Sequence, residues 1–222
     1  MRRFLRENSL TLVTFGLFFV TFIVGQALAG QHAYNADQQD HHEATVSVVS
    51  YLRTGHFGEA TFENWESEFL QMGAYVLLTV WLRQKGSAES KPVDGEEDVD
   101  EDPGKHGDDP DAPWPVRRGG LALTLYKNSL AIAFMTLFVL SFALHAVTGA
   151  HEYSDEQEAH GGERVTAAEY VTTSQLWFES FQNWQSEFLA VVAIVVFTRY
   201  LRQQGSPESK PVAAPHEATG SG

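Results

Sequence analysis

Asn64-Trp65-Glu66-Ser67-Glu68-Phe69-Leu70 returns as Asn183-Trp184-Gln185-Ser186-Glu187-Phe188-Leu189, 119 residues further on. At the same offset Leu82-Arg83-Gln84-Lys85-Gly86-Ser87-Ala88-Glu89-Ser90-Lys91-Pro92-Val93 matches Leu201-Arg202-Gln203-Gln204-Gly205-Ser206-Pro207-Glu208-Ser209-Lys210-Pro211-Val212. Tyr51 likewise matches Tyr170, and His32-Ala33-Tyr34 matches His151-Glu152-Tyr153. Nearer the start, Asn8-Ser9-Leu10 pairs with Asn128-Ser129-Leu130 at an offset of 120, so one residue was gained or lost between these anchors. The chain therefore reads as a tandem duplication. Repeat 1 covers 1–93 and repeat 2 covers 120–212. Residues 94–119 join them, and 213–222 form a disordered tail.

Hydropathy is segregated along each repeat. Leu10 to Gly30 is a run of 21 uncharged residues and Leu130 to Gly149 one of 20, each long enough to cross a hydrocarbon core as a helix. The second apolar segments are shorter. Phe69 to Leu82 and Phe188 to Leu201 hold 14 residues each, the latter with Arg199 inside it. Extended upstream to Phe62 and Phe181, with Trp65 and Trp184 as interfacial anchors, they too reach membrane length. Four spans follow, at about 9–30, 62–84, 128–149 and 181–203. The first could instead be a signal peptide cut near Ala27-Leu28-Ala29, but its partner at 130–149 is internal, which favours retention.

Thirteen of the fifteen basic residues flank one side of these spans; Arg53 and Arg164 fall on the other. By the positive-inside rule both termini and the 94–119 linker are cytoplasmic, and the two hairpins run parallel. The linker is acidic, with ten carboxylates between Asp94 and Asp111, and reads as a solvated, disordered tether. No basic patch suits nucleic acid. The absence of cysteine excludes thiolate, disulfide and iron–sulfur chemistry.

In the loops on the far side, Val46, Val48, Val49 and Leu52 form an apolar stripe, as do Val165, Ala168, Tyr170 and Val171. Each predicts a short helix lying on the membrane surface. At the start of each second span Phe62, Trp65 and Phe69 share one helical face, and Asn64, Ser67 and Glu68 the opposite one. Phe181, Trp184 and Phe188 against Asn183, Ser186 and Glu187 repeat the pattern. Glu63 and Glu66 differ in the second repeat, where Gln182 and Gln185 stand, whereas Glu68 is kept as Glu187. At ~21 Å from the cytoplasmic end, a carboxylate here needs a partner or a proton.

Candidate partners are Gln26 and its counterpart His145, with His32, Tyr34, His151 and Tyr153 just beyond. Together these residues make one expected polar, titrating site near the outer leaflet. Three roles suit it: hydrogen bonds that hold the helices together, a proton- or cation-responsive centre, and a metal or haem site. His41, His42 and Glu43 are a weaker metal candidate in the first loop, while His56, His106 and His216 have no evident partner. Gly25 with Ala29, and Gly73 with Ala74, are small pairs for close helix packing, within one chain or in a homodimer.

The opening Arg3-Phe4-Leu5-Arg6-Glu7-Asn8-Ser9-Leu10, the Asn-Trp-x-Ser-Glu-Phe-Leu motif and the Leu-Arg-Gln-x-Gly-Ser-x-Glu-Ser-Lys-Pro-Val endings resemble a family of small bacterial inner-membrane proteins without an assigned function. The resemblance covers nearly the whole chain outside the acidic linker and implies no activity, substrate or catalytic residue.

The expectation is an all-α membrane protein: four transmembrane helices as two parallel-repeat hairpins, with short interfacial helices in the extracytoplasmic loops. Its leading function is a non-enzymatic structural or accessory subunit of a membrane complex in the bacterial inner membrane, or an envelope-stress protein. A small transporter or channel comes second and a metal- or haem-binding redox subunit third. The lipid bilayer is a partner, no nucleic acid is, and no cofactor is required.

Overall fold

The computed structural model describes residues 1–220. Among them the protein is all-helical, without a strand. Four long helices carry the architecture: α1 (Ser9–Asp40), α2 (Gly55–Trp81), α3 (Ser129–Ala159) and α4 (Ser174–Tyr200). Two of them, α1 and α3, are long and apolar enough to cross a membrane. Threonines open α2 and α4. Thr54 Oγ1 accepts from the Phe57 N–H at 3.2 Å and Thr173 Oγ1 from the Leu176 N–H at 3.4 Å. Each satisfies a backbone donor that the first turn leaves without a helical acceptor. The short helices Val48–Tyr51 and Ala167–Tyr170 lie where the apolar stripes predict them, capped by Ser47 and Thr166.

The two apolar helices differ at one place. α3 is α-helical from end to end, whereas α1 winds as a π-helix over Thr21–Ala29. The sequence explains this. Phe22 and Phe142 stand 120 apart and Ala27 and Ala146 stand 119 apart, so the extra residue of the first copy falls between Phe22 and Ala27, inside the π segment. An α-helix that gains one residue must either turn everything downstream by about 100° or absorb the residue in a wider i→i+5 turn. α1 takes the second course, so Gln26, Gly30 and Tyr34 keep the 119 offset to His145, Gly149 and Tyr153.

The chain divides into two compact units. The first joins Met1–Phe62 with Ala143–Leu176. Its apolar core is Ala27, Tyr51 and Phe57, with Phe22, Tyr34 and Val46 against it. A glycine–tyrosine contact occurs twice here. A Cβ on Gly30 would stand 2.5 Å from the Tyr51 hydroxyl, and one on Gly149 would stand 2.6 Å from Tyr170 Cε1. Both rings are almost fully buried, so each glycine is the space its tyrosine fills. By contrast every residue of Ser9–Val20 is open to the surroundings.

The second unit comprises Glu63–Phe142 and the chain from Trp177 onward. Gly73 admits α3 to close contact with α2, since a Cβ there would meet Met135 Sδ at 3.1 Å. Phe138 and Phe142 of α3 pack on Trp184 and Trp177 of α4, with ring centroids 6.1 Å apart in each pair. Of the expected small pairs, Gly73 is used in this way, whereas a Cβ on Gly25 would meet nothing within 4 Å.

Residues 213–220, expected as a disordered tail, lie in this unit against the Gly86 turn. Gly86 N–H donates to Thr219 Oγ1 at 2.9 Å, and Gly220 N–H donates to the Ser87 carbonyl at 2.9 Å. Lys210 is buried beside them, with Nζ donating to the carbonyls of Gly86, Ala218 and His216 at 2.5, 2.8 and 3.1 Å.

Candidate functional site

In the first unit a partly exposed acid, Glu59, stands on the second turn of α2. Oε1 of Glu59 accepts the Tyr170 hydroxyl at 3.1 Å, and ligand atoms of Glu59 and His145 lie within 4.8 Å of each other. His145 and Tyr170 have no exposed surface at all. A carboxylate, an imidazole and a phenol drawn from three segments thus meet, and the polar atoms of the two fully buried members must find partners within the protein. The tyrosine at the matching position behaves differently. The Tyr51 hydroxyl lies 3.1 Å from His56 Nδ1, again a partner on α2.

In the second unit Glu179 is buried, and Glu66 is withdrawn from solvent altogether. Its Oε1 accepts both the Ser180 hydroxyl at 2.7 Å and the Trp184 indole N–H at 3.2 Å. That pair of bonds ties α2 to α4, and Gln71 Nε2 donating to the Glu187 carbonyl at 3.1 Å ties them again farther along.

The residues expected to form one site divide between the units. Gln26, His32, Tyr34, His145, His151 and Tyr153 belong to the first, and Asn64, Ser67, Glu68, Asn183, Ser186 and Glu187 to the second. In the first unit Gln26 Nε2 donates to Thr61 Oγ1 at 2.8 Å. Tyr34 packs at a tilt against Tyr51 and His56, and Tyr153 against Tyr170, while His32 and His151 are exposed. In the second unit Glu68 is exposed and Glu187 half-buried, close enough for Glu187 to feel the Glu68 charge. The Ser67 and Ser186 hydroxyls donate back to the carbonyls of Asn64 and Asn183, each at 2.8 Å. Asn183 Nδ2 donates to the Glu179 carbonyl at 3.1 Å, and Asn64 is exposed. Among the described residues, the acid and histidine atoms at ligand distance include Glu59 and His145 but not His41, His42 or Glu43. His41 Nδ1 instead lies 3.0 Å from the Asp37 carbonyl.

Sequence reasoning chose Glu68 because it is kept in both copies, yet Glu66 is the acid withdrawn from solvent. Two residues on a helix are about 200° apart, so if one faces the neighbouring helices the other faces away. His56, without an evident partner in the sequence, has Tyr51 and Tyr34. His145, expected as a site residue, and the Tyr51–Tyr170 match both pointed toward this cluster from the sequence; Glu59 has Phe178 at its matching position and gave no such signal.

One family model, Domain of unknown function (DUF6766), matches residues 1–221. None of the curated proteins and none of the solved structures matches the chain.

Proposed function

The chain belongs to that family of unknown function, and with no activity to inherit from it we propose a non-enzymatic, multi-pass protein of the bacterial inner membrane that serves as a structural or accessory subunit. On this reading the spans are 9–30, 62–84, 128–149 and 181–203, arranged as two parallel hairpins. Both termini and the acidic linker face the cytoplasm, as the distribution of basic residues favours. The observation that carries the reading is Glu66. Its buried carboxylate is engaged by Ser180 and Trp184, and so works as a tie between α2 and α4. An acid that carries protons or cations must meet water and its cargo; one held by two helix-to-helix donors serves packing.

Two other readings each have one observation. Transport has the approach of Glu68 to Glu187, two carboxylates that can share a proton or cation. Metal binding has Glu59 and His145 at ligand distance. Native mass spectrometry with elemental analysis, on protein extracted from its own membranes, separates all three. A stoichiometric protein partner is expected. A partner-free chain carrying one metal ion overturns the accessory reading in favour of metal binding. Proton or cation flux through proteoliposomes of the pure chain, abolished by Glu68→Gln with Glu187→Gln, overturns it in favour of transport. Tags near 40 and 160 reachable only from the cytosol would overturn the topology.

A further inference from the structure

In the second unit the chain reaches α3 through two short helices, Trp114–Arg118 and Gly120–Tyr126. They meet at Gly119, whose φ of 66° and ψ of −164° suit glycine alone. Val116 is the buried residue of the pair. Trp114, Leu121, Leu125 and Tyr126 are exposed, Leu121 by 74%. Leu121 and Leu125 stand one turn apart and share a helical face. Asn128 Nδ2 donates to the Thr124 carbonyl at 2.8 Å, and α3 opens at Ser129. Lys127 is therefore within one turn of Leu130, where the uncharged run of α3 begins.

Three cations accompany these apolar side chains. Arg117, Arg118 and Lys127 are exposed, and none of the ion pairs among the described residues engages them. The acidic stretch just before them does form such pairs, but with Lys91, Lys105 and His106. The Arg118 guanidinium lies over the Trp114 ring, 5.4 Å from its centroid. A related arrangement precedes α1 in the first unit. The helix Arg2–Glu7 exposes Phe4 and Leu5 among three arginines, and Asn8 Nδ2 donates to the Phe4 carbonyl at 2.9 Å before α1 opens at Ser9.

A neutral apolar partner covers leucine and tryptophan but leaves the cations without counter-charge. A soluble polyanion supplies the counter-charge but leaves the apolar side chains in water. An anionic lipid leaflet meets both needs at one depth, phosphates for the cations and acyl chains just below them.

We propose that the elbow from Trp114 to Lys127 docks on anionic phospholipid, with Leu121 and Leu125 inserted below the phosphates and Arg117, Arg118 and Lys127 at phosphate level. This rests on the reading of α3 as a membrane span and adds the lipid class that meets its entrance.

The test uses spin labels on single introduced cysteines, since the chain has none of its own. Leu121→Cys, Leu140→Cys and Asp108→Cys are each labelled on the full chain in nanodiscs of phosphatidylcholine, with or without phosphatidylglycerol. Relaxation by dissolved oxygen marks lipid, and relaxation by a soluble nickel chelate marks water. With phosphatidylglycerol present, the label at 121 is expected to favour oxygen. Its oxygen-to-nickel ratio falls at least about threefold in phosphatidylcholine alone. Arg117→Gln with Arg118→Gln and Lys127→Gln, all at exposed positions, produces the same fall while phosphatidylglycerol is present. The label at 140 reports lipid and the one at 108 reports water throughout. A label at 140 that reports water defeats the membrane reading. A label at 140 in lipid with one at 121 in water defeats only the docking surface. So does a ratio at 121 that ignores both phosphatidylglycerol and the three charges, the result expected where a protein partner covers the elbow.

Discussion

The Tyr170 hydroxyl donates to Oε1 of Glu59 at 3.1 Å, across 111 residues of sequence. Tyr170 is wholly buried, so Tyr170→Phe keeps the packing and removes its hydrogen bond to the partly exposed Glu59. The expected loss is about 1–2 kcal/mol, a fall of several degrees in apparent melting temperature by fluorescence thermal shift. An unchanged midpoint would show that Glu59 finds an equivalent donor elsewhere.

Glu66 and Glu68 should respond in opposite ways. Glu66→Gln keeps an acceptor for Ser180 and Trp184, and a change under about 1 kcal/mol is expected. Glu66→Leu leaves both donors unmet and costs roughly 2–4 kcal/mol. Glu68→Gln, at an exposed position, leaves stability within about 0.5 kcal/mol. Equal effects of Glu66→Leu and Glu68→Gln on the melting midpoint would contradict this assignment.

The glycines under Tyr51 and Tyr170 are predicted to reject a methyl group. Gly30→Ala and Gly149→Ala drive a Cβ to within 2.5 Å of the Tyr51 hydroxyl and 2.6 Å of the Tyr170 ring, which costs about 1–3 kcal/mol. Gly16→Ala, where a Cβ meets nothing within 4 Å, is neutral or slightly stabilising because alanine favours the helix. The three midpoints, measured side by side, check the contrast.

Lys210 and Lys91 occupy matching positions in sequence and different ones in the fold. Lys91 pairs with Asp100 near the surface, whereas Lys210 is buried among backbone carbonyls that also hold 215–218. Lys210→Met is expected to free the tail, so that limited proteolysis cuts after 212 at least tenfold faster than in the wild type. Lys91→Met should leave that rate unchanged. Equal rates in the two variants would mean the tail is held by Thr219, and by Glu217 in its ion pair with Lys85, without the lysine.

Much of the helical framework could be read directly. Unbroken uncharged runs at 10–30 and 130–149 require helices in lipid, because only a helix satisfies its own backbone there. The second helix of each repeat, placed at 62–84 and 181–203, begins about two turns earlier, at Gly55 and Ser174. The change of offset from 120 to 119 accounts for the π segment of α1 only once that segment is seen. The polar site was harder to read. Asn64, Ser67 and Glu68 do share a helical face, but sharing a face says nothing of what lies opposite it. Agreement between the copies also misled, since Glu66 and Glu59 lack a matching acid and yet are the ones engaged inside.

Local chemistry along the chain therefore settled the long apolar helices and the inserted residue, because each depends on the order of residues along one segment. The tertiary structure alone decided that Tyr170 reaches Glu59, that Ser180 and Trp184 reach Glu66, and that Lys210 closes on Gly86. Those pairs are separated by more than a hundred residues. Their formation depends on which faces of packed helices exclude water, a property no single segment possesses.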